Sequence, residues 1–257
     1  MILYHYTLLD CFLSIWKSKT LRFSNSKNTN DFFERVIVCR ITSNSIVHNG
    51  QRLDEQLIRN FQSEIFDELD KYKQISFSTD YPDGTPGYAS PMMWGQYSRE
   101  RLKDDSYQDG VCIELESDKL VRPHCGFYEG KVTYTDFLKS PIVEGEDIAQ
   151  SNATDYFIEK NNELLFFTKH NHWEHESEYR MVCKNGIGID ISMAINRIYV
   201  LGYDEKIISK IEQAIGTDSI ISFLKGGGVE SRNLSVIDVR GYRKIRCLMN
   251  PHVVDER

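Results

Sequence analysis

The sequence predicts an α+β fold, a single domain in which helices flank a mixed, mostly antiparallel sheet. Apolar and polar residues alternate with the period of a strand in short segments such as 2–7, 110–115 and 179–183. Apolar residues recur at helical spacing over 51–73. Asn185-Gly186 is a strong hairpin-turn signal between two strand-like segments. Strands joined by hairpins and interrupted by amphipathic helices are typical of α+β domains.

Length and composition are those of an ordinary globular protein. The chain has 257 residues, of which 40% are hydrophobic and 27% charged, which argues against disorder. We assign 1–257 to one domain, with a core over 1–184 and a βαβ-like extension over 196–240. The six cysteines form no CxxC pair, and we find no signal peptide and no apolar run approaching about 18 residues. We therefore expect a cytoplasmic protein without membrane contact.

The net charge of −7 argues against binding of nucleic acid by the protein surface as a whole. A nucleic-acid partner would need a local basic patch. One candidate comprises Arg240, Arg243, Lys244 and Arg246. The alternative for this patch is a solvated strand with interspersed charges, and that interpretation is favoured.

The amino-terminal region predicts a strand, a helix and a second strand. Residues 2–7 form the first strand, and Leu8–Lys19 is amphipathic, with Thr7 as its predicted N-cap. Leu21–Ser24 alternates as the second strand. The polar segment Asn25–Asp31 is predicted to be a loop, a usual place for ligand contacts.

The middle of the chain predicts packing elements around one irregular loop. Residues 51–73 form a helix, 74–79 a strand, and the Pro- and Gly-rich segment 80–91 a loop. Trp94 and Tyr97 are spaced to share a helical face. Core packing is favoured for Trp94, whereas for Tyr97 core packing and stacking on a ligand both stay open.

The second half of the chain predicts further strands around one helix. Strands are expected over 110–115 and 127–134, and a helix over Thr154–Lys169. The segment Ile187–Ile191 would pair back on the strand before the Asn185-Gly186 turn. A strand, helix and strand follow from Asn196 to Val239.

Residues 172–183 carry an unusual cluster of charged and aromatic side chains. Glu174, Glu176 and Glu178 are two apart, so they would project from one face of a strand that begins early. Carboxylates that share a face repel each other, and they are typical of sites that serve a cation, a sugar hydroxyl or a proton transfer. The alternative is a charged strand edge that discourages pairing with other chains.

Several motifs in order carry a resemblance to known families. His5-Tyr6-Thr7 at the end of the first strand resembles the first motif of ADP-ribosyltransferase folds, where a His or Arg holds the ribose of NAD. Together, LYHYT, NTNDFFE, MMWGQYS, GVCIEL and WEHESEYR resemble a widespread bacterial family of unknown function found near phage-defence loci. The resemblance covers residues 1 to about 184. It implies a split sheet, NAD as substrate, and a toxin or effector in bacterial anti-phage defence.

The resemblance implies roles for two of the acidic residues. Glu178, at the start of a late strand, would hold the ribose 2′-hydroxyl and stabilise the charge that develops as the nicotinamide–ribose bond breaks. Glu176 would take the proton of the acceptor. Phe77-Ser78-Thr79 has the letters of the aromatic-Ser-Thr motif of these enzymes. His5 differs from the Arg that is usual in the Glu-x-Glu clade, so the clade and the acceptor, nucleic acid or protein, stay open.

For NAD itself, the resemblance implies contacts along the first strands. His5 would hold the adenosine-side ribose or the amide end of NAD. Tyr6 or Tyr97 would stack on nicotinamide. Ser24 or Thr7 would bond a ribose hydroxyl.

Asn30 and Arg180 are candidate ligand-binding residues, and for each a structural role is the alternative. Asn30 would bond the nucleotide or cap the following helix. Arg180 would meet a phosphate, or else form an ion pair with Glu178 on the same strand face.

Other functional classes fit parts of the same sequence. His170 and His172 would share a face of an extended segment, but His175 would not, and HExxH is absent, so no metal is predicted. A non-catalytic, nucleotide-binding sensor is the main alternative. An antitoxin or another regulatory protein is the expected partner of a toxin.

Overall fold

A nine-stranded antiparallel sheet forms the centre of the computed structural model, which describes residues 1–25, 39–41, 47–104, 107–124, 126–201, 205–215, 220–225 and 233–238. The strand order is β11-β15-β7-β1-β10-β17-β19-β18, and β3 also pairs with β7. Two small parallel pairs, β12–β14 and β4–β13, lie outside this sheet. The predicted α+β class with a mixed, mostly antiparallel sheet is confirmed.

The strands are β1 (Ile2–Thr7), β2 (Thr20–Arg22), β3 (Ser24–Asn25), β4 (Arg40–Ile41), β5 (Val47–His48), β6 (Gln51–Arg52), β7 (Tyr72–Ser78), β8 (Arg99–Arg101), β9 (Tyr107–Asp109), β10 (Val111–Glu116), β11 (Phe127–Lys131), β12 (Thr133–Thr135), β13 (Ile142–Val143), β14 (Thr168–His170), β15 (Glu178–Lys184), β16 (Gly188–Asp190), β17 (Ile195–Leu201), β18 (Ile220–Lys225) and β19 (Asn233–Asp238). The helices are α1 (Leu9–Ser18), α2 (Glu55–Leu69), α3 (Pro91–Tyr97), α4 (Gly145–Ile148), α5 (Ala153–Lys160), α6 (Asn162–Phe166) and α7 (Glu205–Ile215). Short 3-10 helices lie at Gly87–Ala89, Ser117–Lys119 and Asn171–Glu176. No helix in this part of the chain is long and apolar enough to cross a membrane.

The sheet has an opening between β1 and β7. These strands pair at Tyr4 and Ser78, and β3 pairs with the other end of β7 at Ser24 and Gln74. On the edge of β7 that faces β1, residues 75–77 have no strand partner among the described residues, whereas their other edge pairs with β15. Backbone groups and side chains on either side of the opening therefore face open space.

The two faces of the sheet carry different cores. One face packs against α1 and α7, which are joined by a hydrogen bond of 2.9 Å from Trp16 Nε1 to the carbonyl oxygen of Ala214. On the other face, α2, α5 and α6 cover Val182 of β15, and α3 covers Tyr4 and Tyr6 of β1. The strand alternation predicted for β1, β10 and β15 produces this division.

Two helix starts differ from the prediction. The residue before α1 is Leu8, which gives no side-chain cap, whereas Thr7 stays in β1 opposite Val111. Helix α2 begins after Asp54, whose carboxylate accepts hydrogen bonds from the N–H groups of Gln56 and Leu57. An N-cap needs a side-chain oxygen aimed at the first turn, and of these two helices the structure supplies one only for α2.

The helix predicted over 154–169 is interrupted at Asn161 and ends at Phe166. The chain ends α5 at Lys160, turns at Asn161, and forms the short α6 before β14. The side-chain amide of Asn161 donates to the carbonyl oxygen of Phe157 at 2.8 Å, which satisfies a carbonyl at the end of α5. The break places Lys169 on a strand rather than on a helix.

The segment after Asn185-Gly186 also pairs differently from the prediction. Strand β16 pairs with β2, not with the strand that precedes the turn. Ile189 and Leu21 meet in this pairing and both are buried, so the apolar contact with the amino-terminal region selects the partner. The extension predicted as strand, helix and strand contains β17, α7 and β19, and also β18, a strand that was not predicted. β19 pairs antiparallel with both β17 and β18. The candidate basic patch at 240–246 lies outside the described residues.

Gly110 provides a test of how β1 and β10 approach each other. A β-carbon there would overlap the carbonyl oxygen of Thr7 and lie 2.9 Å from Cα of Leu8, both backbone atoms. We expect Gly110→Ala to lower the free energy of unfolding by about 1–3 kcal/mol. Gly95→Ala is the control, because no atom of the described residues lies within 4 Å of a β-carbon there and the position is helical. It should raise stability by about 0.5–1 kcal/mol. Equal effects of the two changes in urea denaturation would contradict the close approach.

Candidate functional site: a polar cavity in the opening of the sheet

A cavity of about 420 Å³ lies at the opening between β1 and β7, a size within the range of ligand pockets. Its walls come from β1, β3, β7, the end of α3, β14 and the segment that leads into β15. His5 lines it from the first strand, and Glu176 and Glu178 line it from the other side. Residues far apart in the sequence therefore share one hollow.

Strand β7 contributes a stripe of polar side chains to the cavity. Gln74, Ser76 and Ser78 alternate with the core residues Ile75 and Phe77. Ser76 is exposed, although it lies on a central strand, because the sheet is open beside it. Ser78 is only 1% exposed, and its hydroxyl has no hydrogen-bond partner among the described residues. A buried hydroxyl without a hydrogen-bond partner costs about 1–3 kcal/mol of stability.

A left-handed residue brings the two glutamates together. Glu176 ends the 3-10 helix and Glu178 begins β15, and Ser177 between them has φ 44° and ψ 52°. The carbonyl oxygen of Ser177 accepts hydrogen bonds from both the backbone N–H and the hydroxyl of Thr79. These bonds hold a backbone conformation that serine rarely adopts.

The predicted acidic strand face is therefore wrong. Glu174 is exposed on the 3-10 helix and takes no part in the cavity. Glu176 and Glu178 converge because of the turn at Ser177, not because of strand alternation.

Glu178 is held as a buried anion. Its carboxylate accepts two hydrogen bonds from Arg180, of 2.8 and 2.7 Å, and lies 3.4 Å from Lys169 Nζ. Its backbone N–H donates to the Tyr134 hydroxyl at 2.9 Å. Burial by itself would raise the pKa of Glu178, but the charges of Arg180 and Lys169 outweigh it and lower the pKa to about 2.

Glu176 is buried to a similar degree but is less completely bonded. Its carboxylate accepts one hydrogen bond from the Tyr97 hydroxyl and one from Lys169 Nζ, each 2.5 Å long. Burial and the neighbouring charge of Glu178 raise its pKa above the ordinary value, although Lys169 acts in the opposite direction. The environments shift the pKa values of the two carboxyl groups in opposite directions. This pattern distinguishes a permanent anion from a group that exchanges a proton.

His5 and Tyr6 are fixed by backbone groups. His5 Nδ1 lies 3.2 Å from the carbonyl oxygen of Ser76, which can only accept, so the proton belongs on Nδ1. Burial lowers the pKa of His5 and favours the neutral ring. The Tyr6 hydroxyl donates to the carbonyl oxygen of Gly87 at 2.6 Å, and its ring packs edge-on against Trp94. The buried Trp94 lies in the core, as predicted.

Of the remaining candidate residues, some line the cavity and others do not. Ser24 and Tyr97 line the cavity. Thr7 is buried and does not line it. Arg180 does not line it either, because its guanidinium bonds to Glu178 and to the carbonyl oxygen of Phe166, which is the ion-pair alternative. Asn30 lies outside the described residues.

Sequence reasoning missed Lys169 as a site residue. It falls at the end of the predicted helix, where a lysine is common because it favours the negative end of the helix dipole. Nothing in its neighbours signalled burial. The stripe of Gln74, Ser76 and Ser78 did have a signal, the regular alternation with Ile75 and Phe77 in a strand.

Within the described residues, one group of acids could hold a metal ion by distance, namely Glu144, Glu146 and Asp147. It lies outside the cavity, and Lys160 pairs with all three carboxylates. His170, His172 and His175 form no such group there.

Residues 93–181 match the model of a family described as "protein of unknown function (DUF2971)". The match includes Tyr97, Lys169, Glu176, Glu178 and Arg180, but not β1. It agrees with the predicted resemblance to a family of unknown function, whereas the links to phage defence and to ADP-ribosyl transfer stay predictions. No curated protein and no solved structure matches the chain.

The Glu178–Arg180 pair should show strong energetic coupling. We expect Glu178→Gln and Arg180→Met each to lower the free energy of unfolding by about 3–5 kcal/mol, because each leaves a buried polar partner behind. The double variant should lose less than the sum, by about 1–3 kcal/mol. The exposed pair Arg52–Glu55 is the control, with a coupling below about 1 kcal/mol. Urea denaturation measures both cycles, and additive effects at Glu178 and Arg180 would contradict a buried ion pair.

The low pKa of Glu178 should appear in the pH dependence of stability. Its pKa is about 2 in the folded protein against an ordinary value of 4.5, so the folded state binds fewer protons in that window. Its contribution to stability is present above pH 4.5 and is lost as the pH falls toward 2. We expect the free energy of unfolding of Glu178→Gln to vary less over this window than that of the unaltered protein. Parallel curves for the two proteins would be inconsistent with a buried anion.

Proposed function

We propose that this protein is an NAD-dependent ADP-ribosyltransferase. The observation that supports the proposal is the meeting in one cavity of His5, from the first strand, with Glu176, at the end of the 3-10 helix, and Glu178, at the start of β15. This is the juxtaposition that the resemblance to ADP-ribosyltransferases implies.

The charges around the cavity suit a nucleotide. Arg180 is buried and bonded to Glu178, so the phosphates would bind to Arg22 and Arg99, two exposed arginines in the lining. Arg99 also lies 3.5 Å from Asp109, in a pair that is partly exposed to solvent. Guanidinium groups recognise phosphate oxygens through paired hydrogen bonds. The nicotinamide ribose would then point toward the glutamates. Anionic and cationic groups at different parts of the lining match a ligand with phosphates and a developing positive charge.

The two glutamates would share the chemistry. The nicotinamide–ribose bond breaks with its electron pair leaving on nicotinamide, and positive charge develops on the sugar. The Glu178 anion would stabilise that charge at short range. The acceptor nucleophile then forms a bond to the sugar carbon and loses its proton to Glu176, which has unoccupied lone pairs and a raised pKa. The products are nicotinamide and the ADP-ribosylated acceptor.

The test compares Glu176→Gln with Glu174→Gln. Both change one glutamate of the same 3-10 helix, but only Glu176 lines the cavity. With labelled NAD and separate protein and nucleic-acid acceptors, we expect Glu176→Gln to lower transfer by about 10²–10⁴-fold, because a general base is lost. NAD binding, measured by calorimetry, should change little. Glu174→Gln should behave like the unaltered protein.

A nucleotide-binding sensor without catalysis is the second candidate. One observation favours it, namely that the positive charges of Lys169 and Arg180 balance both carboxylates, an arrangement that also serves a structural role. NAD binding without turnover would support the sensor. If NAD does not bind at all, both proposals for this cavity are wrong.

The biological setting is proposed from the resemblance alone. A toxin or effector of anti-phage defence should arrest bacterial growth on expression, and Glu176→Gln should relieve the arrest. An antitoxin or regulatory partner would have the same effect as that substitution when it is expressed together with the protein. Arrest that persists in Glu176→Gln would separate toxicity from the proposed chemistry.

A further inference from the structure

Lys169 occupies an unusual position for a lysine. It lies on β14, its side chain is 5% exposed, and its ammonium is 2.5 Å from Glu176 Oε2 and 3.4 Å from Glu178 Oε2. The same ammonium lies 4.7 Å from the centre of the Trp173 ring. Two carboxylates and an aromatic ring therefore compensate the burial of its charge.

The cations of the site are not equivalent. Arg180 bonds to Glu178 through both of its carboxylate oxygens. Among the ion pairs of the described residues, Glu176 has Lys169 as its cationic partner. If the charge of Lys169 were removed, Glu178 would still be paired with Arg180. Glu176 would lie beside the negative charge of Glu178 without the positive charge of Lys169 to offset it.

The frame around Lys169 makes its position rigid. β14 pairs with β12 so that Lys169 lies opposite Tyr134, and the Tyr134 hydroxyl accepts the backbone N–H of Glu178. The strand that presents Lys169 is thus joined to the strand that presents Glu178. On the opposite side, the Tyr97 hydroxyl donates to the second oxygen of Glu176. The carboxylate of Glu176 is held between α3 and β14.

We propose that Lys169 is a positioning residue that keeps Glu176 ionised and turned into the cavity. This inference rests on the proposed function for its catalytic meaning, but the ionisation of Glu176 can be measured without any turnover. The titratable and charged groups around the Glu176 carboxyl are Lys169, Glu178, Arg180, Tyr81, Tyr97 and Tyr134. Lys169 and Arg180 are the cations of this set.

The test is a carboxyl ¹³C NMR titration of the full chain. The Glu176 resonance is assigned by its absence in Glu176→Gln. We expect the titration midpoint of Glu176 to rise by about 1–3 pH units in Lys169→Met, because an opposite charge in contact is lost while burial and Glu178 remain. Lys169→Arg keeps the charge and should stay close to the unaltered protein. If Lys169→Met does not fold, Lys169→Gln gives the same comparison.

Lys184→Met is the matched control. Lys184 also bridges two carboxylates, those of Glu68 and Asp155, but it lies outside the cavity. Its loss should leave the Glu176 midpoint unchanged. An unchanged midpoint in Lys169→Met as well would overturn the assignment.

A kinetic measurement separates positioning from structural support. The acid limb of the pH profile for transfer should move to higher pH in Lys169→Met. Below its midpoint, activity should fall about tenfold for each pH unit, and it should recover at higher pH. A structural defect would lower activity at every pH and would count against the assignment.

The two proposals fail in different ways. If the midpoint of Glu176 rises in Lys169→Met but the unaltered protein never turns over NAD, the proposed function fails and the role of Lys169 in ionising Glu176 stands. If NAD turns over but the midpoint of Glu176 is unchanged in Lys169→Met, the proposed function stands and the role of Lys169 fails.

Discussion

The buried pair of Glu178 and Arg180 is the interaction on which the site depends. A carboxylate placed at the start of a central strand would be protonated by burial unless a cation lay against it. Arg180 is that cation, and its third contact is the carbonyl oxygen of Phe166 at the end of α6. The pair thus joins β15 to the helical layer and keeps a negative charge at the cavity. Lys169 can then serve Glu176, because Glu178 already has a partner.

The opening between β1 and β7 is the second constraint. In a continuous sheet, β1 would also pair with residues 75–77 of β7, which pair with β15 on their other edge. Because β1 and β3 contact β7 only at its two ends, the polar side chains of β7 line a hollow instead. His5 spans part of the opening through the carbonyl oxygen of Ser76, which has no strand partner among the described residues on that side. The same break in the ladder therefore produces the cavity and explains why a histidine stands at this point of β1.

The sequence predicted the elements that depend on local periodicity better than it predicted the pairing of distant segments. The strands β1, β10 and β15 follow from local alternation, because their alternate residues enter the cores on the two faces of the sheet. The helices α1 and α2 follow from their single apolar faces. The break at Asn161 and the pairing of β16 with β2 do not follow from either local pattern. The break depends on the packing of Phe166 and Phe167 into the core beside α2 and α5. The pairing of β16 depends on the contact of Ile189 with Leu21, which is distant in the sequence. Local patterns do not encode which distant segment covers an apolar face.

The sequence by itself determined the fold class and the main strands, because residue types and spacing are local properties, and the resemblance of its short motifs to a known family nominated His5, Glu176 and Glu178. Only the tertiary structure decided that the two glutamates differ. The left-handed conformation of Ser177, held by hydrogen bonds from Thr79, directs Glu176 and Glu178 into one cavity. Arg180 on β15 then pairs with Glu178, and Lys169 on β14 pairs with Glu176. Lys169 had no signal in the sequence, because the burial of a lysine is set by the groups that surround it in three dimensions.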